Sequence, residues 1–593
     1  MRTARNAGAL GALLLTASAA AAIPAVGAPV AERTAAQDTT TSAAQYVVLG
    51  ERGVSDAAVR SAIAAAGGSV TSVNAAVGLY SVTARAGAFA ERANATTAVR
   101  GVATNRIIGR SVRPGQAQHE VVEKALIDRV VPRAAGQGGQ APGTAGKPEA
   151  RSSTSAAQPR PTAPVLADPL SGLQWDMAMI DAWKAHRYAT GRGVRVGIMD
   201  TGIDASHPDI APRFDHRLSR NFTTDDPVID GACAEDPDGS CIDPATVDEN
   251  GHGTHVAGIV ASPRNGLGIV GVAPEADVVN LRSGQDSGYF FLAPTVNALT
   301  YAGDNGIDVV NMSFYIDPWL FNCAANPADT AQQQIEQRTI IEATNRALSY
   351  ARGQGVTLIA AAGNENTDLD DPKADTTSPD YPANTAHPRT IDNTCLSMPA
   401  EGIGVLSVSS VGPSGLKADY SNWGRSDVDL SAPGGYFRDN YGSPAYRSTS
   451  NMILSAIPKA IAAADAVPAL DPVTGASTDP AIVSQCPAGK ESCAYYAYYQ
   501  GTSMAAPHVT GVAALVVSRW GKRDRVHGGL TLMPATTANT LLRTASDTAC
   551  PAPVYDYPDR PDEYTAACTG TIRRNSFYGQ GIVDALAAVA RRR

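Results

Sequence analysis

The chain has 593 residues with 48 basic and 57 acidic side chains, and its formal net charge of −9 argues against a nucleic-acid binder. Apolar residues make up 44% and charged residues 18%, an ordinary balance for a soluble globular protein with a sizeable core, which excludes wholesale disorder.

In chain order, Arg2 and Arg5 precede the apolar run 7–22, with small residues around Ala22 and Ala28, so residues 1–28 read as a secretory signal peptide. No later stretch has the roughly 18 consecutive apolar residues of a membrane span, so the processed chain is expected outside the cell and off the membrane. In that oxidising compartment the eight cysteines, with no CxxC pair among them, are expected as disulfides. Closeness in sequence pairs Cys233 with Cys241, Cys486 with Cys493 and Cys550 with Cys568, which leaves Cys323 for Cys395.

Residues 46–49 read as a short strand. Ser55 then N-caps an Ala-rich helix that ends at Gly67-Gly68, residues 69–83 alternate as a hairpin does, and a second helix starts near Gly87. This predicts a small α+β unit over residues 45–112. Residues 131–165 are rich in Gly, Pro, Ser and Ala, with too few large apolar residues to offset ordering entropy, and read as a flexible linker. From Asp168 to the end, residues 168–593, the apolar runs 194–199, 278–281, 309–312, 357–362 and 404–411 alternate with helix-like segments. The expected fold is α/β: a doubly wound, mostly parallel sheet with helices on both faces.

Open parallel sheets carry their chemistry at the carboxyl ends of the strands. Asp200-Thr201-Gly202 follows the first run and Gly363-Asn364-Glu365 the fourth, while His252 and Ser503 each open an apolar, helix-forming stretch. A serine hydroxyl becomes a nucleophile when a base takes its proton, and a buried carboxylate fixes the tautomer of that base. Ser503, His252 and Asp200 are such a set. The blocks DTGIDASHPDI, HGTHVAGIVAS, AAAGNEN and GTSMAAPHVTGVAALV, in that order, resemble those of the subtilisin-like serine proteases over about 168–590.

The resemblance implies Ser503 as nucleophile, His252 as general acid and base, Asp200 as orienting carboxylate and Asn364 as oxyanion donor, with Gly288, Ser313 and Gly363 against the substrate. No cofactor is expected for catalysis. Residues 45–112 resemble the family's propeptide, a folding assistant and inhibitor that is cut away. Asp168, Asp209, Asn265, Leu267 and Ile269 resemble the ligands of a structural calcium site; otherwise Asp209 caps a turn in a metal-free loop. Asp380, just before Tyr381-Pro382-Ala383, falls at the base of the first specificity pocket, where a carboxylate favours Lys or Arg before the cut; otherwise it closes a solvated acidic insertion.

The implied function is a secreted serine endopeptidase, made as an autoprocessed, propeptide-inhibited precursor and acting as a monomer on protein or peptide substrates. The alternatives are an exopeptidase whose insertions block one end of the cleft, or a non-catalytic binding protein on the same fold. Zinc at His252 and His255 lacks the HExxH glutamate and a third ligand, and the absence of GxSxG around Ser503 argues against a lipase. Departures from the family pattern are the spacing of 52 residues between Asp200 and His252, Ser313-Phe314-Tyr315 in place of Ser-Leu-Gly, bulky Tyr289 and Phe290 beside Gly288, and insertions over 317–346, 368–378, 385–401 and 436–499, expected as surface loops.

Overall fold

The computed structural model describes residues 43–107 except 86, and 168–590 except 228, 235–238, 382–384 and 467. The expected signal peptide 1–28 and linker 131–165 lie outside the described residues, as does the end of the N-terminal unit beyond 107.

The N-terminal unit is a four-stranded antiparallel sheet in the order β2-β3-β1-β4, built from β1 (Ala43–Gly50), β2 (Gly68–Asn74), β3 (Leu79–Arg85) and β4 (Val99–Ile107). Helices α1 (Asp56–Ala65) and α2 (Phe89–Asn94) cover one face, and Ser55 caps α1 through the Ala58 amide. Side chains alternate across a strand. Tyr46 and Val48 therefore join the unit's own core with Ile63 and Phe89, whereas Val47 and Leu49 join a core shared with the following domain. Strand β4 was not anticipated from the sequence.

The larger domain holds a seven-stranded, all-parallel sheet. Its strands are β5 (Arg195–Met199), β6 (Arg220–Asn221), β7 (Asp277–Arg282), β8 (Val309–Met312), β9 (Thr357–Ala361), β10 (Val405–Val411) and β11 (Leu430–Pro433), in the order β11-β10-β9-β8-β5-β7-β6. Val196, Ile198, Val278 and Ile359 face α3 (His252–Ala261) and α6 (Thr502–Trp520). Val279, Leu281, Val310 and Leu358 face α4 (Leu292–Asp304) and α5 (Ala331–Gly353). Burial on both faces explains the unbroken apolar runs, and each such side chain contributes about 1.5–3 kcal/mol.

The expected surface loops are more than loops. Within 436–499, β12 (Ile453–Ile457), β13 (Ile482–Gln485) and β14 (Ala494–Tyr499) form an antiparallel sheet, and Ser455 Oγ donates to the His255 carbonyl, so this insertion packs beneath α3. Joining 317–346, 368–378 and 385–401, the buried Arg389 guanidinium pairs with Asp329 and Asp375 and lies over the Trp319 ring at 4.7 Å. These insertions carry core residues because they have buried polar anchors. The disulfides are Cys233–Cys241, Cys323–Cys395, Cys486–Cys493 and Cys550–Cys568, the pairing expected.

Candidate active site

Asp200 follows β5 and is fully buried, and His252 opens α3. Their junction is tight because two glycines allow it. Gly251 N-caps α3 at φ 96°, and a Cβ on Gly253 would sit 2.1 Å from the Gly202 carbonyl. His252 Nδ1 lies 2.8 Å from Asp200 Oδ1, which also accepts from the Thr201 amide at 2.8 Å. A carboxylate only accepts, so Nδ1 carries the proton and Nε2 is left as the base.

A carboxylate not singled out from the sequence holds this corner together. Asp248 Oδ1 accepts from the Gly251 amide (2.9 Å) and Thr201 Oγ1 (3.1 Å), and its Oδ2 accepts from the amide (2.9 Å) and hydroxyl (2.6 Å) of Thr254. It thereby satisfies first-turn amides of α3 and links them to the loop after β5. Burial pushes its carboxyl up, and the bonds to Thr254 and Gly251 pull it back. The available signal was an acidic residue four positions before His252.

Ser503 is the second residue of α6, where amide groups lack intrahelical partners. Pro507 has no N–H, so the Ser503 carbonyl loses its helical donor. Ser313 Oγ donates to it instead at 2.9 Å, and Ser503 Oγ in turn lies 3.3 Å from the Ser313 carbonyl. Asn364 Oδ1 accepts from both the amide and the hydroxyl of Thr502 at 2.9 Å, which turns its Nδ2 to the other side as a donor. Thr502 Oγ1 also accepts from the Gly363 amide at 3.1 Å. Gly288 sits in the loop after β7 at φ 87°.

Asp380 stands in an acidic recess. Its Oδ2 accepts from Tyr315 Oη at 2.8 Å, and the buried Asp317 faces it. Burial, then the Asp380 charge, pushes the Asp317 carboxyl well above its usual range. Tyr315 and Asp317 were not anticipated here; Tyr315 stands where a glycine was expected. Beside the recess, the Phe290 and Phe314 rings stack at 4.1 Å.

Around Asp209, Oδ1 accepts from Asn265 Nδ2 (3.0 Å), and Oδ2 accepts from the Ile269 amide and Tyr496 Oη (both 3.0 Å). Asp168 accepts from the Gly266 amide at 2.9 Å. The structure therefore brings together Asp168, Asp209 and the loop that carries Asn265, Leu267 and Ile269. Burial pushes Asp209 up to about 7, and Asp168 adds to the rise.

Residues 191–581 match the model of the subtilase family of peptidases, more than half of the chain. The chain belongs to the subtilase family. It is 27% identical to thermitase of Thermoactinomyces vulgaris over 361 residues, 61% of this chain and 88% of thermitase. It is 30% identical to an intracellular serine protease of Paenibacillus polymyxa over 340 residues, 57% of this chain and 71% of that one. A solved structure, the epidermin leader peptide processing serine protease of Staphylococcus aureus, shares the fold with a TM-score of 0.56 and 18% identity, covering 93% of this chain and 100% of that one. This subtilase is a serine peptidase, and its substrates are peptides or proteins.

Proposed function

We propose that this subtilase is a secreted endopeptidase, made as a precursor that cuts itself free of residues 45–112, and that it cleaves after basic residues. The observations that carry the catalytic reading are the 2.8 Å bond between His252 and Asp200 and the place of Ser503 at the start of α6, the helix that packs against α3. His252 Nε2 takes the Ser503 proton as Oγ attacks the substrate carbonyl. Negative charge then develops on the carbonyl oxygen, where Asn364 Nδ2 and the Ser503 amide stabilise it. His252 returns the proton to the leaving amine, and water, deprotonated by the same nitrogen, releases the acyl group from Ser503.

A basic residue before the cut is supported by the recess of Asp380 and Asp317. Burial and the Asp380 charge favour the protonated form of Asp317, which leaves the negative charge on Asp380, where a Lys or Arg side chain would add a charge-assisted hydrogen bond. Calcium, which takes roughly six to eight oxygens, fits the Asp209 loop by its donor set. Two carboxylates there repel each other, the Leu267 and Ile269 carbonyls belong to the same turn, and rotation of the Asn265 amide presents an oxygen. Calcium there would supply positive charge and stability, with no part in bond breaking.

The test is expression of the precursor with Ser503→Ala in a protease-free host. The wild type should lose its N-terminal unit and react with a serine-directed fluorophosphonate, and the variant should do neither. Equal maturation of the variant refutes autoprocessing.

A further inference from the structure

Strand β4 lies along α5 in a register set by one helical stripe. Gln332 Nε2 donates to the Val102 carbonyl (3.4 Å), Glu336 Oε1 accepts from the Thr104 amide (2.7 Å), and Glu342 Oε2 accepts from Arg100 Nε (3.1 Å). Residues 332, 336, 339 and 342 recur at the helical period and share a face. Thr339 completes the stripe: a Cβ on Gly101 would lie 2.1 Å from its Oγ1, so only glycine lets the strand approach closely enough for Thr104 to reach Glu336. At the other end of the contact, Arg346 donates to the carbonyls of Gly50 (2.9 Å) and Val77 (3.2 Å).

Glu336 is the chemically odd member of this stripe. It lies on the helix face covered by β4, only 8% exposed, and among the described residues it receives a backbone amide rather than a cation. Among the described residues, the groups facing it are Thr104 from β4, Tyr46 from β1 and Trp319 from the loop before α5. Arg100 and Arg346 are engaged with Glu342, one helical step and more away. Nothing in the hydrolytic mechanism uses Glu336. Removing the N-terminal unit uncovers this face of α5 and returns the carboxyl to water.

We propose that Glu336 is a pH sensor for release of the N-terminal unit: protonated it tolerates burial under β4, and ionised it loosens the strand. This rests on the reading of residues 45–112 as an inhibitory propeptide. Burial pushes the docked carboxyl from 4.5 up to about 6. An acid whose pKa is raised in the complex favours the complex at low pH, and that advantage is lost as pH rises through about 6. Glu342 works in the opposite sense. Burial raises its carboxyl, but the hydrogen bonds of Arg346 and Arg100 outweigh this and hold it below 4.5, so its pairs persist across pH 5–8. Tyr46 titrates far above that window.

The experiment uses the full-length chain after it has processed itself. The share of the N-terminal fragment that co-elutes with the peptidase on size exclusion is measured across a dilution series at pH 5, 6, 7 and 8. The expected result is a dissociation constant about tenfold weaker at pH 8 than at pH 5. Glu336→Gln should hold the fragment at pH 8 as tightly as the wild type does at pH 5, with no slope between them. Glu342→Gln should weaken binding at every pH and leave the slope intact. Should Glu336→Gln not fold, the wild-type and Glu342→Gln curves decide alone: a flat wild-type curve, or a slope lost with Glu342, overturns the sensor. A slope that survives Glu336→Gln does the same. Each of these outcomes leaves the propeptide reading standing, whereas a fragment that co-elutes at no pH sinks that reading and the sensor with it.

Discussion

Asp200 and Asp209 follow the same strand and are both fully buried, yet their surroundings differ in kind. Asp200 meets His252, a donor that is itself part of the machinery. Asp209 meets a second carboxylate across its loop, and Asp380 meets Asp317 next to Tyr315. The catalytic corner pairs its carboxylate with a donor from within the chain. On the proposed reading, the two acidic sites are completed by a cation, from solution at one and from a substrate side chain at the other.

The sharpest way to break this contrast is at Asp200. Asp200→Asn should lower kcat roughly 10⁴-fold, because an amide nitrogen facing His252 selects the wrong tautomer. Near-normal turnover of the correctly folded variant, by peptide hydrolysis and circular dichroism, would mean that Asp200 is no more committed than Asp209. Asn364→Ala should cost about 10²–10³ in kcat with little change in KM, since the donor acts on charge present only in the transition state; these magnitudes come from relatives with the same constellation. A change confined to KM contradicts that role.

At the specificity recess the effect should be smaller and selective. Asp380→Asn should reduce the ratio of kcat/KM for Arg over Leu before the cut by about tenfold to a hundredfold. A ratio untouched by the substitution returns Asp380 to a structural role with Tyr315. The smallest effect is expected at Asp209. Chelation should lower Tm by about 2–5 °C at pH 8, and Asp209→Asn should abolish that response. The pH dependence follows from the carboxyl raised to about 7. The native form favours the proton, so without calcium the stabilisation present at low pH is lost as pH rises through 7. Tm of the chelated protein should fall from pH 5 to pH 8, and calcium should flatten the curve. A metal-free protein equally stable at both values removes the distinction between the two aspartates.

What the sequence disclosed depended on whether a feature was local. Strands buried on both faces, such as β8 and β9, are mostly apolar runs and are visible as such. Leu430–Pro433 and Arg220–Asn221 are short and flanked by polar residues, and became strands only because a sheet edge was there to receive them. Asp200, His252, Asn364 and Ser503 each stand in a long block with its own turn glycine or helix start. Asp248 lies near such a block but acts through five hydrogen bonds that no spacing reveals. Asp317 with Asp380, and Glu336 with Thr104, are distant in sequence. Their meaning lies in burial, which only the packed chain supplies.

Pro507 couples recognition to reactivity. By withholding one amide from α6 it frees the Ser503 carbonyl, and Ser313, a residue expected to line bound substrate, takes the vacancy. The nucleophile's backbone is thus tethered to the segment that a substrate must grip. Were that segment to hold substrate as the family resemblance implies, a peptide that shifts it would pull on Ser503 as it binds. Pro507→Ala would restore the helical bond, slacken that tether, and leave an enzyme with duller discrimination between well-fitting and ill-fitting peptides.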